Sequence, residues 1–142
     1  MGVRVRIRVE LAGKIVETAA LANSGFETED PQLLVPHAFL LRNGISVESL
    51  GKPVVAEYDT AGGPVSAYAY PGACVVAVVE EDRVSRSVRT DLVISLIERE
   101  VLMSDALIEE LGIVILSPKR GLWRFSDDPP QEVRQSCRPQ YW

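Results

Sequence analysis

The chain has 142 residues, of which 46% are apolar and 25% charged, and its net charge is −5 at neutral pH. This length suits one domain that buries about 70% of the surface of the unfolded chain, and the apolar content excludes a disordered chain. No apolar run reaches the ~18 residues of a membrane-spanning helix, and the acidic balance argues against nucleic acid as the main partner.

The first residues alternate between apolar and charged side chains, which predicts a β-strand with one buried face. The odd positions from Val3 to Val9 are apolar, and Arg4, Arg6 and Arg8 share the opposite face. An arginine row is expected on a solvated or interface face. It would also suit a phosphate-binding ribbon, and this keeps a nucleic-acid-binding β-barrel as an alternative function.

Periodicity, turn residues and helix caps predict the remaining elements. In chain order these are strands at 15–22 and 33–35, a short helix starting at Pro36 and closing at 43–44, a hairpin of strands 53–59 and 65–70, strands 73–79 and 91–97, a helix capped by Ser104 and ended by Gly112, and strands 113–116 and 122–125. These elements predict one mainly β domain over residues 1–125. The polar tail, 126–142, is expected to be mobile unless Tyr141 and Trp142 dock, or to lie at a dimer interface.

Several single residues have ordinary explanations. Cys74 and Cys137 lack metal-ligand spacing and are interpreted as thiols. His37 has no partner for a triad or a metal site, so a surface or capping role is expected. No metal and no cofactor are predicted. The N-terminus has no apolar signal-peptide core, so we expect a soluble cytoplasmic protein that does not contact membranes.

Three stretches together resemble one protein family. They are ALANSGFETEDPQLLVP at 20–36, YDTAGGPVSAY at 58–68, and LVISLIEREVLMSDALIEELGIVI at 92–115. In this order they are similar to the active-site loop, the flap hairpin and the last strand–helix–strand unit of the retropepsin-like aspartic peptidases. The resemblance implies a closed retropepsin-like β-barrel with one C-terminal helix. It also implies a homodimer with its active site on the two-fold axis and an extended peptide as substrate.

The resemblance also assigns roles to residues of the loop and the flap. Asn23 occupies the position of the catalytic Asp, and Ser24 would brace the loops of the two subunits against each other. Gly25 would permit the turn and a close approach of substrate. The substrate-binding residues that the resemblance implies are Phe26, Tyr58 and the flap tip, Ala61, Gly62 and Gly63.

Three other residue groups in or near these stretches have simpler explanations. Tyr58 and Tyr68 are expected to form an aromatic cross-strand pair. The triplet-like stretch from Asp59 to Gly62 is interpreted as a hairpin tip, because no apolar strand directly precedes the Asp. Glu27, Glu29 and Asp30 are expected in an exposed acidic turn.

Asn23 decides what the chain can do. An aspartic peptidase holds two carboxyl groups that share one proton, and one of them activates a water while the other protonates the peptide carbonyl. An Asn side chain resembles Asp in size but cannot accept that proton. We therefore expect the chain as written to be inactive as an endopeptidase. An engineered or natural loss of the acid, a natural pseudo-peptidase that binds peptides as a dimer, and deamidation of Asn23 all stay open.

A second departure from the family lies in the third stretch. The family usually has a Gly after the apolar pair of its late strand, whereas Leu96 and Ile97 are followed by Glu98.

Overall fold

The computed structural model describes residues 2–142, with the side chain of Thr60 outside the description. Its strands are β1 (Arg4–Leu11), β2 (Lys14–Ala22), β3 (Gln32–Pro36), β4 (Val54–Thr60), β5 (Gly63–Val78), β6 (Val88–Ser95), β7 (Val101–Met103), β8 (Ile113–Ser117), β9 (Leu122–Phe125) and β10 (Arg134–Gln135). Its helices are α1 (His37–Arg42) and α2 (Asp105–Glu110), with a 3-10 turn at Val47–Leu50. The protein is therefore mainly β, as predicted.

Six strands close into a barrel. The hydrogen-bonded order is β1-β2-β7-β3-β6-β5, and β5 pairs back onto β1 between Ile7 and Leu11. β4 pairs only with β5 and extends from the barrel as a hairpin, while β8, β9 and β10 form a separate three-stranded sheet. The closed barrel is confirmed. The short helix predicted after Pro36 and the C-terminal helix predicted after Ser104 are both present, as α1 and α2, each six residues long.

The alternation of β1 places its apolar face in the core. Val3, Val5, Ile7 and Val9 are all 1% exposed or less, as the period of two requires for a half-buried strand. The core continues through the barrel to α2, whose Leu107 is fully buried. The predicted Ser104 cap is confirmed, since its side chain accepts a hydrogen bond from the backbone N–H of Leu107. Gly112 follows the helix with φ 75°, a backbone conformation that favours glycine.

The two strands predicted at 65–70 and 73–79 are one strand, β5. Its pairing with β6 shifts register between Tyr70 and Cys74. The backbone N–H of Gly72 donates to Asp91 at 2.7 Å within this irregularity. Pro71 and Gly72 suggested a break in the sequence, but a bulge accommodates them without ending the strand.

The strand predicted at 91–97 is displaced, and a further strand was missed. β6 ends at Ser95, whose side-chain oxygen accepts from the backbone N–H groups of Ile97 and Glu98 and so turns the chain. Leu96 and Ile97 are consequently 86% and 84% exposed. The late strand next to α2 is instead β7, which pairs parallel with β2 and antiparallel with β3.

The tail packs along its own chain. β10 pairs with β9, and the backbone N–H of Cys137 donates to the carbonyl of Arg4. Trp142 lies edge-on to Phe39, with ring centroids 5.0 Å apart, and its indole N–H donates to Thr18. We predicted a mobile tail unless Tyr141 and Trp142 pack against the rest of the chain. Trp142 does pack against it.

Among the described residues, no helix has the length and apolarity needed to cross a membrane. Both cysteines are free thiols, as interpreted from the sequence. Cys74 is buried, and burial raises its pKa to about 12.

Candidate functional site

Asn23 begins a loop, residues 23–31, directly after barrel strand β2. Its backbone N–H donates to the carbonyl of Met103 at 3.2 Å, which continues the pairing of β2 with β7. The backbone N–H of Phe26 then donates to the carbonyl of Asn23 at 3.0 Å and closes a tight turn. Asn23 is half-buried, whereas Ser24 and Gly25 are exposed. The backbone therefore holds Asn23 at the rim of the barrel.

The side chain of Asn23 is oriented by its own turn. Its Oδ1 atom accepts a hydrogen bond from the backbone N–H of Gly25 at 3.2 Å, a local pairing typical of Asn and Asp. A Cβ atom on residue 25 would lie 3.3 Å from that same oxygen. Gly25 thus leaves room for the side chain of Asn23. A larger residue at position 25 would crowd the Oδ1 atom of Asn23.

The start of α2 fastens the far half of the loop. Asp105 accepts from the backbone N–H of Thr28 at 2.9 Å, and its own backbone N–H donates to the carbonyl of Phe26 at 2.9 Å. Ser104 accepts from the backbone N–H of Gln32 at 3.0 Å, where β3 begins. Sequence reasoning found Ser104 as a cap but missed its contact with Gln32. These two residues are 72 positions apart, so no local sequence pattern could have predicted their contact.

The β4–β5 hairpin reaches back over the loop through one tyrosine. The hydroxyl of Tyr58 donates to the side-chain oxygen of Gln32 at 2.8 Å. Its ring lies edge-on to Phe26, with centroids 5.8 Å apart. Burial raises the pKa of the Tyr58 hydroxyl, and the hydrogen bond to Gln32 opposes this effect only in part. Phe26 and Tyr58, both predicted as substrate-binding, are thus in contact with each other.

The predicted tyrosine pair is wrong. Tyr58 lies opposite Val65 in the hairpin, and Tyr68 lies opposite Val55. Tyr68 is 59% exposed. Successive side chains of a strand face opposite sides, and these pairings place the two tyrosines on different faces of the hairpin.

Ala61 and Gly62 form the two-residue turn at the tip of the hairpin, between paired Thr60 and Gly63. Gly63 has φ 108°, which a side chain would strain. The stretch from Asp59 to Gly62 is therefore a hairpin tip, as interpreted from the sequence. The Asn23 loop follows β2, whereas this tip joins β4 to β5.

The arginine row of β1 takes part in ion pairs. Arg4 makes two hydrogen bonds to the carboxylate of Glu100, at 2.7 and 3.1 Å. Arg6 lies 3.4 Å from Glu17 on the neighbouring strand. Two of the three guanidinium groups are thus neutralised locally, which weighs against a phosphate-binding ribbon. His37 is the first residue of α1 and is half-buried.

A search of protein-family models finds none that matches this chain. A search of curated proteins finds no significant match either.

Proposed function

We propose that this chain has the frame of a retropepsin-like aspartic endopeptidase, that it dimerises about the Asn23 loop, and that it binds extended peptides without cutting them. The observation that carries the proposal is the placement of Asn23. It is held at the end of a closed-barrel strand, with its side-chain oxygen oriented, in a loop that a hairpin contacts through Tyr58 and Phe26.

The register of the late strand also supports the proposal. The strand next to α2 is β7, so the residue that follows the apolar pair Leu102 and Met103 is Ser104. A small residue occupies that position. The departure noted in the sequence at Glu98 thus reflects an inserted turn after β6 and leaves the strand–helix unit intact.

The chemistry follows from the amide. In the proposed dimer, two copies of Asn23 face each other across the two-fold axis, where the family has two carboxyl groups sharing a proton. Two amides can bind each other or a water, but neither can take a proton from that water. A peptide bound in extended form keeps its main-chain hydrogen bonds to the protein and is not hydrolysed.

The decisive experiment restores the acid. We expect Asn23→Asp to cleave extended peptides at acidic pH, with inhibition by a transition-state mimic of the peptide bond. Asn23→Ala and the chain as given should both be inactive, with intact mass checked before and after the assay to detect deamidation. Cleavage by the unmodified chain would show that Asn23 does not occupy the acid position.

The second candidate is a natural pseudo-peptidase, a dimeric peptide-binding module that does not cut peptides even when the acid is restored, and the amide of Asn23 favours it. Peptide binding by Asn23→Asp without any cleavage would select this function. Both candidates require the two-fold dimer. A chain that sediments as a monomer at concentrations far above those of the assay would contradict both.

A further inference from the structure

The hairpin presents an unpaired strand edge and apolar side chains to solvent. β4 is the last strand of its sheet, with β5 as its one neighbour in the described structure. Val54 and Val55 are 52% and 68% exposed, and Val65 across the hairpin is 43% exposed. β4 contains no Lys and no Pro, and its pairing with β5 is regular. Natural proteins usually protect an exposed edge with charged residues, Pro or a bulge. The only charged residues of β4 are Glu57 and Asp59, so this edge is suited to pairing with a strand that complements their charge.

The hairpin, the Asn23 loop that it contacts through Tyr58, and the helix that fastens this loop are charged with one sign. Residues 23–32, 54–70 and 104–112 contain eight of the 20 acidic residues and none of the 15 basic residues. The rest of the chain therefore has more basic than acidic residues, although the whole is acidic. A surface region that carries one sign of charge attracts ligands of opposite sign.

Within the described part of the chain, most of these carboxylates have no cationic partner. Asp105 accepts backbone N–H groups, and Glu110 pairs with Arg86. The remaining six are exposed and form no ion pair with any residue that the structure describes: Glu27, Glu29, Asp30, Glu57, Asp59 and Glu109.

The negative charge of β4 favours a different partner over a second copy of this chain as the strand that pairs with its edge. Antiparallel pairing of two β4 strands centred on Tyr58 would place Glu57 of each copy opposite Asp59 of the other, and like charges directly opposite each other destabilise a strand pair. A strand with Lys or Arg at alternate positions would instead place cations beside these carboxylates, and the apolar residues between them would lie on the opposite face, which includes Val54.

We propose that the ligand of this site is a basic extended peptide, in which Lys or Arg alternates with apolar residues. It pairs with the edge of β4 and neutralises the carboxylates of the loop at 27–30. This inference rests on the proposed function, because it names the chemical class of the extended peptide that the chain is proposed to bind.

The test compares three labelled peptides with one apolar pattern and with Lys, Gln or Glu at the alternate positions, titrated against the chain with Asn23 by fluorescence anisotropy. We expect the Lys peptide to bind about fivefold or more tighter than the Gln peptide, since each exposed pair contributes little alone. Its affinity should fall with added salt, because screening weakens attraction between exposed charges.

A matched pair of triple variants assigns the effect to the loop. Glu27→Gln/Glu29→Gln/Asp30→Asn should lose most of the preference for the Lys peptide. Glu10→Gln/Glu81→Gln/Glu132→Gln removes the same charge from exposed positions on other elements and should keep it. Equal loss in both variants, or equal binding of the three peptides, would overturn the inference and leave the peptide-binding proposal standing. Failure of every peptide to bind at low salt would overturn both.

Discussion

The hydroxyl of Ser104 lies 3.0 Å from the backbone nitrogen of Gln32, and this contact joins the last helix to the end of the loop that contains Asn23. Ser104 is fully buried, and the same oxygen also accepts from the N–H of Leu107 at 3.3 Å. One side chain therefore caps α2 and fixes the start of β3. The position of the loop depends on a residue far from it in sequence.

Ser104→Ala should destabilise the protein by about 1–3 kcal/mol, because it removes a helix cap and leaves two N–H groups without their partner. Equilibrium unfolding in urea measures the change as a lower midpoint with an unchanged slope. Ser66→Ala, at an exposed position of β5, is the control and should have little effect. Equal stability of the two variants would show that the hydroxyl of Ser104 does not hold the two elements.

Removing the docked indole should release the tail. Trp142→Ala loses the contact with Phe39 and the hydrogen bond to Thr18, and we expect the chain from Cys137 onward to become mobile. Burial raises the pKa of the Cys137 thiol, so release should lower that pKa and speed its reaction with a thiol reagent at mildly alkaline pH.

Two internal comparisons make this measurement specific to the tail. Cys74 is buried in the core and should stay unreactive in the same sample until the protein unfolds. Tyr141→Ala changes a residue that is 54% exposed and should alter the labelling of Cys137 much less. Unchanged labelling in Trp142→Ala would mean that the backbone hydrogen bonds hold the tail without the indole.

Acid should weaken the junction between the tail and the loop at 80–86. Arg134 hydrogen-bonds to both oxygens of Asp128, at 2.8 and 3.1 Å, and to Asp82. The hydrogen bonds from Arg134 lower the pKa of Asp128 to about 2, below its value in the unfolded chain. The unfolded state therefore binds a proton first as pH falls. The stabilisation from Asp128 is complete above about pH 4 and is lost as pH falls toward 2.

Asp128→Asn should reduce that pH dependence. We expect the variant to be less stable at neutral pH, by about 1–3 kcal/mol, since a buried charge-assisted hydrogen bond is weakened. Its stability should then fall less steeply between pH 4 and 2 than that of the parent. Asp59→Asn, on the exposed hairpin, is the matched control. Parallel stability curves for Asp128→Asn and the parent, followed by circular dichroism, would contradict this role of Asp128.

The parts of this fold that local patterns determine were predictable from the sequence. Alternation revealed β1, and the cap at Ser104 and the glycine at 112 revealed the limits of α2. The Asn-Ser-Gly turn was also located. Each of these features depends on residues within a few positions of one another, where periodicity and capping preferences act.

The missed elements depend on contacts between distant parts of the chain. β7 has three residues and is a strand because it lies between β2 and β3. β10 exists because Arg134, buried against Asp128, brings the tail onto β9. The contact of Tyr58 with Gln32 crosses 26 positions. Neither local propensity nor residue spacing encodes contacts between distant residues. The sequence therefore led us to pair Tyr58 with Tyr68, which was wrong.

Tyr58→Phe should loosen the hairpin over the Asn23 loop. The substitution removes the hydrogen bond to Gln32 and keeps the ring that packs on Phe26. We expect the contact between hairpin and loop to lose about 1 kcal/mol, which lowers the ratio of attached to detached hairpin about fivefold. Amide relaxation measured by NMR should show greater motion at Ala61 and Gly62, and the contact between the rings at positions 26 and 58 should weaken. Tyr68→Phe alters an exposed ring on the other face of the same hairpin and should leave both observables unchanged. Equal effects of the two substitutions, or none from Tyr58→Phe, would show that the hydroxyl does not tether the hairpin.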